Sequence, residues 1–135
     1  RASTDVPIST GESEFTRFAF RDLAELRACD IFQPDLSICG GVTEAMRIEA
    51  IASAYQLRYA PHLWGGALTF AAGLHTLVVA STGFIVEYSL GANPMLHELA
   101  VEDFTVVDGH LDVPDRPGLG VTVDEAFVEK YRVTD

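Results

Sequence analysis

The chain has 135 residues and a formal net charge of −11, from 9 basic and 20 acidic side chains. This length suits one modest core or part of a larger domain, and the acidic balance argues against nucleic acid and anionic membranes as partners. No apolar run has the length of a membrane span. Two cysteines are too few for a disulfide framework or a zinc site, so we expect Cys29 and Cys39 to be buried thiols in a reducing compartment, the cytoplasm.

Four short apolar runs, each typical of a strand, alternate with three stretches typical of helices. The runs cover residues 6–12, 31–35, 59–62 and 84–87, and the helical stretches cover 16–29, 43–55 and 67–80. The third helix is apolar nearly all round, so we expect it to be buried on several sides and to end in a left-handed cap at Gly83. The fourth run is expected to be a strand buried on both faces. This alternation predicts a parallel sheet with right-handed crossovers.

The last third of the chain does not continue this alternation. Asp108 and Gly109 predict a hairpin with a type I′ turn, because both tolerate positive φ. Asp124 is expected to cap a closing helix. We therefore divide the chain into a region of four strand–helix units at residues 1–90 and a hairpin-containing tail at residues 91–135.

An acid or a histidine closes each of the four predicted strands. These residues are Glu12, Asp35, His62 and Glu87, and they follow one another at intervals of about 25 residues, the length of one βα unit. Because parallel strands end at the same edge of a sheet, we expect the four side chains to meet at an active site there. Each also has a structural alternative, such as a surface glutamate, a turn-forming aspartate or a hydrogen-bonded histidine.

Four strand–helix units make half of an eight-stranded barrel. A half barrel has two unpaired strand edges, which favours pairing with something else. The chain begins with Arg1 rather than Met, directly before an apolar run, so we expect it to lack its natural start. We also expect a homo-oligomer.

The four polar residues lie within or beside a series of short motifs. In chain order these are Gly11-Glu12, Thr16-Arg17-Phe18, Asp30-Ile31-Phe32-Gln33-Pro34-Asp35, Gly40-Gly41-Val42-Thr43-Glu44-Ala45, Ala60-Pro61-His62 and Pro117-Gly118-Leu119-Gly120. Together they resemble the carboxyl-terminal half of enolase-superfamily enzymes, most closely the mandelate racemase subgroup. The related muconate-lactonising enzymes would carry a lysine in place of His62. The resemblance implies an α/β fold that is the carboxyl-terminal half of a TIM-type (β/α) barrel, strands five to eight, with a tail that packs on a capping domain.

The resemblance also implies a chemistry and a role for each site residue. Enzymes of this family use Mg²⁺ to remove the proton next to the carboxylate of a small substrate. Glu12 would be one of three acidic Mg²⁺ ligands, and His62 would be a general acid or base hydrogen-bonded to Asp35. Glu87 would be protonated and would donate a hydrogen bond to the substrate carboxylate. A divalent cation and a neutral acid both stabilise the negative charge that develops on oxygen.

The chain lacks several residues that the family pattern requires. The pattern also needs a lysine base and two further acidic ligands, which the resemblance places in an amino-terminal half of the barrel. We expect that half and the capping domain to lie outside these 135 residues. Mg²⁺ is strongly hydrated, so Glu12 alone should hold it poorly. We therefore predict that the 135-residue chain by itself neither binds Mg²⁺ tightly nor turns over substrate.

Several functions fit these observations. The first is part of a dehydratase of acid sugars, aldonates or aldarates. The alternatives are a racemase or epimerase of a 2-hydroxy acid, and a non-catalytic half-barrel module that self-associates through its strand edges and the helix at 68–79. A phosphate-binding barrel enzyme that uses the backbone N–H groups at Gly65 and Gly66 is a further alternative.

Overall fold

The structure is a computed structural model that describes residues 1–133. Three short parallel strands form the central sheet in the order β1-β2-β3, and two antiparallel strands form a separate hairpin. The strands of the central sheet are β1 (Ser9–Thr10), β2 (Ile31–Phe32) and β3 (Arg58–Tyr59). Helices α1 (Thr16–Glu25) and α2 (Gly41–Ala54) connect them. The predicted α/β architecture of parallel strands with intervening helices is therefore confirmed.

The fourth predicted strand is reduced to a single parallel bridge between Tyr59 and Gly83. Phe84 and Ile85 are 47% and 56% exposed, so the expectation of a strand buried on both faces is wrong. A strand is buried on both faces only when other elements of the fold pack against each face. Here Val86 packs on the apolar cluster at α3 (Ala67–Val79), whereas Ile85 stays exposed and Phe84 is only partly covered, by the guanidinium of Arg58 at 4.8 Å from its ring centroid.

The end of α3 also differs from the prediction. The helix ends at Val79, followed by Ala80 in an extended conformation with φ −69° and ψ 123°. Gly83 is not among the residues with positive φ, so it does not form a left-handed cap. A Cβ atom at Gly83 would instead lie 2.6 Å from the carbonyl oxygen of Leu77, so the glycine is required for a close backbone approach.

The apolar core has three parts, the third of which joins α3 to the tail through Ala67, Leu99, Ala100 and Phe127. The first part joins α1 and α2 to β2, and in it Phe20 packs edge-to-face on Phe32 with ring centroids 5.0 Å apart. Cys29 and Cys39 are buried there as predicted. Burial raises the pKa of both thiols, that of Cys39 to about 11, so both stay protonated at neutral pH. The second part surrounds Phe70 of α3, most of whose residues are buried, as its composition predicts.

The tail packs against α3 and carries the predicted hairpin. Strands β4 (Val106–Val107) and β5 (His110–Leu111) pair through a turn in which Asp108 and Gly109 have φ of 50° and 76°. Helix α4 (Pro94–His97) precedes the hairpin. Asp124 accepts hydrogen bonds from two amides at the start of helix α5 (Glu125–Lys130), which confirms the predicted cap. Contact of the tail with a capping domain stays a prediction, as does the boundary at residue 90.

No helix in the described part of the chain combines the length and the apolar character that crossing a membrane requires.

Candidate active site

Asp35 is a buried carboxylate at the carboxyl end of β2. It is 4% exposed. Its Oδ1 accepts hydrogen bonds from the amide and the hydroxyl of Ser37, at 2.7 and 2.5 Å. Burial alone would raise the pKa of Asp35, but the hydrogen bonds from Ser37 and His62 outweigh it and hold the pKa below its ordinary value. Asp35 is therefore ionised at neutral pH.

His62 lies beside Asp35 at the carboxyl end of β3. The two residues form a parallel backbone bridge, and His62 Nδ1 lies 2.9 Å from Asp35 Oδ2. An ionised carboxylate can only accept, so Nδ1 carries the proton of this bond. This fixes the imidazole tautomer and leaves Nε2 as the atom available for proton transfer.

Glu12 follows β1 and is the most exposed of the four residues, with 60% of its side chain accessible. Its Oε2 lies 3.5 Å from His62 Nε2. Gly11 directs the chain at this point with φ 124°, and a Cβ atom there would lie 2.5 Å from Phe20 Cε1. The side chain of Glu12 thus leaves the core and reaches the same edge as the imidazole.

Glu87 is joined to the segment that carries His62. Its Oε2 accepts a hydrogen bond from the amide of Leu63 at 2.8 Å. Phe84 and Ile85 are exposed, so they do not supply the apolar surroundings expected for a protonated glutamate. Protonation of Glu87 stays a prediction.

The structure brings all four residues together at the carboxyl edge. Glu12, His62 and Asp35 form a continuous line of polar contacts, and Glu87 is attached through the residue after His62. Ser37 was not expected from the sequence as a partner of Asp35. The sequence Asp35-Leu36-Ser37 indicates such a contact, because an aspartate side chain often accepts a hydrogen bond from the backbone amide two residues later.

Gly65 and Gly66 precede α3 at the same edge, and Asn93 donates its side-chain amide to the carbonyl of Gly65 at 3.1 Å. Of the other histidines, His97 and His110 are exposed. His75 is half-buried and contacts the Leu119 carbonyl at 3.2 Å. These three do not belong to the line of polar contacts at the edge.

The donor set does not fit a complete Mg²⁺ site. Among residues 1–133, no group of three or more His, Cys, Asp or Glu side chains is placed to hold a metal ion. Asp35 is already engaged by Ser37 and His62, which leaves Glu12 as the one exposed carboxylate beside the imidazole. Mg²⁺ requires about six oxygen ligands in octahedral geometry, part of them usually water. Glu12 could supply one of them.

Comparison with known proteins identifies the family. The model of the Enolase C-terminal domain-like family matches residues 1–127. The chain belongs to this family. The resemblance to the enolase superfamily is thereby confirmed.

Curated relatives from Xanthomonas and Ralstonia are named D-galactonate dehydratase. The protein of Ralstonia pickettii (strain 12J) is 40% identical over an alignment that covers 94% of this chain and 35% of the relative. That of Xanthomonas oryzae pv. oryzae (strain PXO99A) is 37% identical over 96% of this chain and 35% of the relative. A solved mandelate racemase/muconate lactonizing enzyme from Jannaschia sp. CCS1 superposes with a TM-score of 0.88 at 32% identity, over 99% of this chain and 34% of that chain. The chain thus spans about a third of the length of the relatives it matches.

Proposed function

We propose that the chain supplies the carboxyl-terminal part of the active site of an acid-sugar dehydratase. The observation that carries this proposal is the pair of His62 and Asp35, with Nε2 directed to the carboxyl edge of the sheet. The similarity to proteins named D-galactonate dehydratase supports it. The substrate class is an aldonate or aldarate, a carboxylate with a hydroxyl on the second carbon away from the carboxyl group.

In this reaction the carbon next to the carboxylate loses a proton, and the neighbouring carbon loses its hydroxyl. The electron pair of the broken C–H bond forms a carbon–carbon double bond as the C–O bond breaks. His62 in its doubly protonated form donates the Nε2 proton to the departing hydroxyl, which leaves as water. The resulting enol then rearranges to a 2-oxo-3-deoxy acid.

Asp35 supports this step because its negative charge stabilises the imidazolium form of His62. Its burial and its two hydrogen bonds from Ser37 hold the carboxylate in one position. Asp35 thus acts through His62 and does not touch the substrate.

Two further groups complete the proposal. Glu87 in its protonated form would donate a hydrogen bond to the substrate carboxylate, and Glu12 would contribute one ligand to a Mg²⁺ site. A bound Mg²⁺ would supply positive charge at the carboxylate oxygens. We propose that the base for the first proton and the remaining metal ligands come from the part of a full-length relative that this chain does not span.

A chimera tests the proposal. This chain replaces the aligned carboxyl-terminal third of the Ralstonia pickettii D-galactonate dehydratase, and the purified protein is incubated with D-galactonate and Mg²⁺. We expect a 2-oxo acid, detected as its semicarbazone, and no epimer of the substrate. A folded chimera that inverts the carbon next to the carboxylate without forming a 2-oxo acid would instead support the racemase alternative. A folded chimera that does neither contradicts the proposal.

A further inference from the structure

A cavity of about 480 Å³ opens at the start of α3, between the Gly65-Gly66 pair and the segment before α4. Its walls come from the two segments that carry His62 and Glu87. Trp64 and the two glycines after it form one wall, and Ser89 lies on the facing segment. The volume falls within the range of about 300–1,000 Å³ that is typical of small-molecule sites.

The backbone pattern places the cavity on the same side as the candidate catalytic groups. Leu63 is fully buried, and Tyr88 packs on the same apolar cluster. In extended backbone, side chains alternate between opposite sides. The packing follows this alternation, because Val86 and Tyr88 both pack on the cluster and Leu63 is buried between the more exposed His62 and Trp64. Trp64 is therefore placed with His62, and Ser89 with Glu87, away from the cluster.

Trp64 and Ser89 present unused binding groups to this cavity. The indole is 66% exposed, although it is a large apolar ring next to the site. The Ser89 hydroxyl makes no hydrogen bond within residues 1–133, whereas Asn93 is occupied with the Gly65 carbonyl and the Leu96 amide. The ring face can pack on the C–H groups of a sugar-like carbon chain, and the serine hydroxyl can hydrogen-bond to the hydroxyls of that chain.

We propose that Trp64 and Ser89 bind the hydroxylated carbon chain of the substrate and are specificity-determining residues. The inference rests on the proposed function and names the part of the substrate that these residues recognise. With its carboxylate at Glu87, the remainder of an acid sugar extends over Trp64 to the Ser89 hydroxyl. A short 2-hydroxy acid leaves the cavity empty and gains nothing from either residue.

Kinetics of the chimera test this inference where the chimera is active. Trp64→Ala and Ser89→Ala are each expected to raise KM for D-galactonate about tenfold with kcat within about threefold of the parent, because they remove binding shared by ground state and transition state. Trp64→Phe should restore most of the loss. Leu26→Ala, which removes an exposed apolar side chain at the end of α1, is the matched control. Variants of Trp64 and Ser89 that behave like this control would overturn the inference.

Where the chimera is inactive, the tryptophan fluorescence of the isolated 135-residue chain decides the question. Trp64 is the only tryptophan of the 135-residue chain, so its emission reports on this cavity alone. We expect a saturable change with D-galactonate, none with acetate at equal ionic strength, and a weaker response in Ser89→Ala. The inference would be overturned if the emission of Trp64 did not change with D-galactonate, or changed equally with acetate. It would also be overturned if the emission depended on the protein concentration in the absence of ligand. An inactive folded chimera together with a saturable signal refutes the proposed function alone.

Discussion

His62 and Asp35 are joined twice, by a parallel backbone bridge and by a hydrogen bond of 2.9 Å between Nδ1 and Oδ2. The bridge continues the pairing of β2 with β3 beyond the ends of both strands. The register of the sheet therefore sets the distance between the two side chains. In the proposed reaction, a pair held by paired strands would need little reorganisation.

Replacement of Asp35 by asparagine should slow the chemical step. An asparagine side chain carries no charge to stabilise the imidazolium of His62 and can leave the ring in the wrong tautomer. We expect kcat of the chimera with D-galactonate to fall by about 100-fold, with little change in KM. Asp22→Asn is the control, since Asp22 is exposed and paired with Arg21 on α1. Equal kcat values for the two variants would show that Asp35 does not support the reaction.

The same carboxylate makes the stability of the chain depend on pH. The pKa of Asp35 is lower in the folded chain than its ordinary value of about 3.9, so the unfolded chain binds the proton more readily. The stability contributed by this group is fully present above that value and is lost as the pH falls through the lower folded pKa.

Urea unfolding of the chain and of Asp35→Asn measures this contribution. At pH 6 the variant should be less stable by about 1–3 kcal/mol, because a buried hydrogen-bonded charge is lost. The difference should shrink as the pH falls below about 4, when the wild-type carboxylate takes up a proton. Comparison with the variant removes the effect of other carboxylates, such as Glu44 and Glu102, whose pKa values are also lowered. A difference that stays constant to pH 2.5 would contradict the assignment.

Gly11→Ala should disturb both the core and the position of Glu12. The new Cβ atom would lie 2.5 Å from Phe20 Cε1, at a backbone φ of 124° that disfavours side chains. We expect a loss of about 1–3 kcal/mol in the free energy of unfolding. Gly91→Ala is the matched control, because the nearest atom lies 3.7 Å away and its φ is not positive. If both variants unfold at the same urea concentration, the packing at Gly11 is not as described.

The alternation of apolar runs and helical stretches was sufficient to predict the parallel sheet and the edge at which the four polar side chains meet. Parallel strands must present their carboxyl ends together, so the spacing of Glu12, Asp35, His62 and Glu87 already contained their convergence. The fourth strand could not be predicted in the same way. Apolar residues show that a strand can be buried, but actual burial needs packing partners on both faces. In the described residues Phe84 and Ile85 remain about half exposed.

Contacts between polar side chains of distant segments were also invisible in the sequence. Glu44 on α2 accepts hydrogen bonds from the amide and the guanidinium of Arg17, at 2.9 and 2.6 Å, and so ties the start of α1 to α2. The periodicity of α2 does not mark Glu44 as buried, because a carboxylate is normally placed on the solvated face. Only the packing of the two helices shows that this glutamate has a partner.

The 135-residue chain by itself should bind Mg²⁺ weakly. A single exposed carboxylate replaces at most one of about six ligands, so we expect no saturable heat of binding below about 1 mM Mg²⁺. Glu12→Gln should give the same calorimetric trace as the wild-type chain. Tight binding that disappears in Glu12→Gln would show that the chain completes a metal site on its own.

The most direct test of the central claim is the rate of D-galactonate dehydration by the chimera carrying His62→Asn, compared with the chimera carrying His110→Asn. His110 lies on the exposed hairpin and serves as the matched histidine control. We predict that His62→Asn lowers kcat by about 100-fold or more, because the proton donor for the departing hydroxyl is removed, while His110→Asn leaves kcat unchanged. A His62→Asn chimera that dehydrates D-galactonate at the rate of its control would contradict the assignment of His62 as the acid.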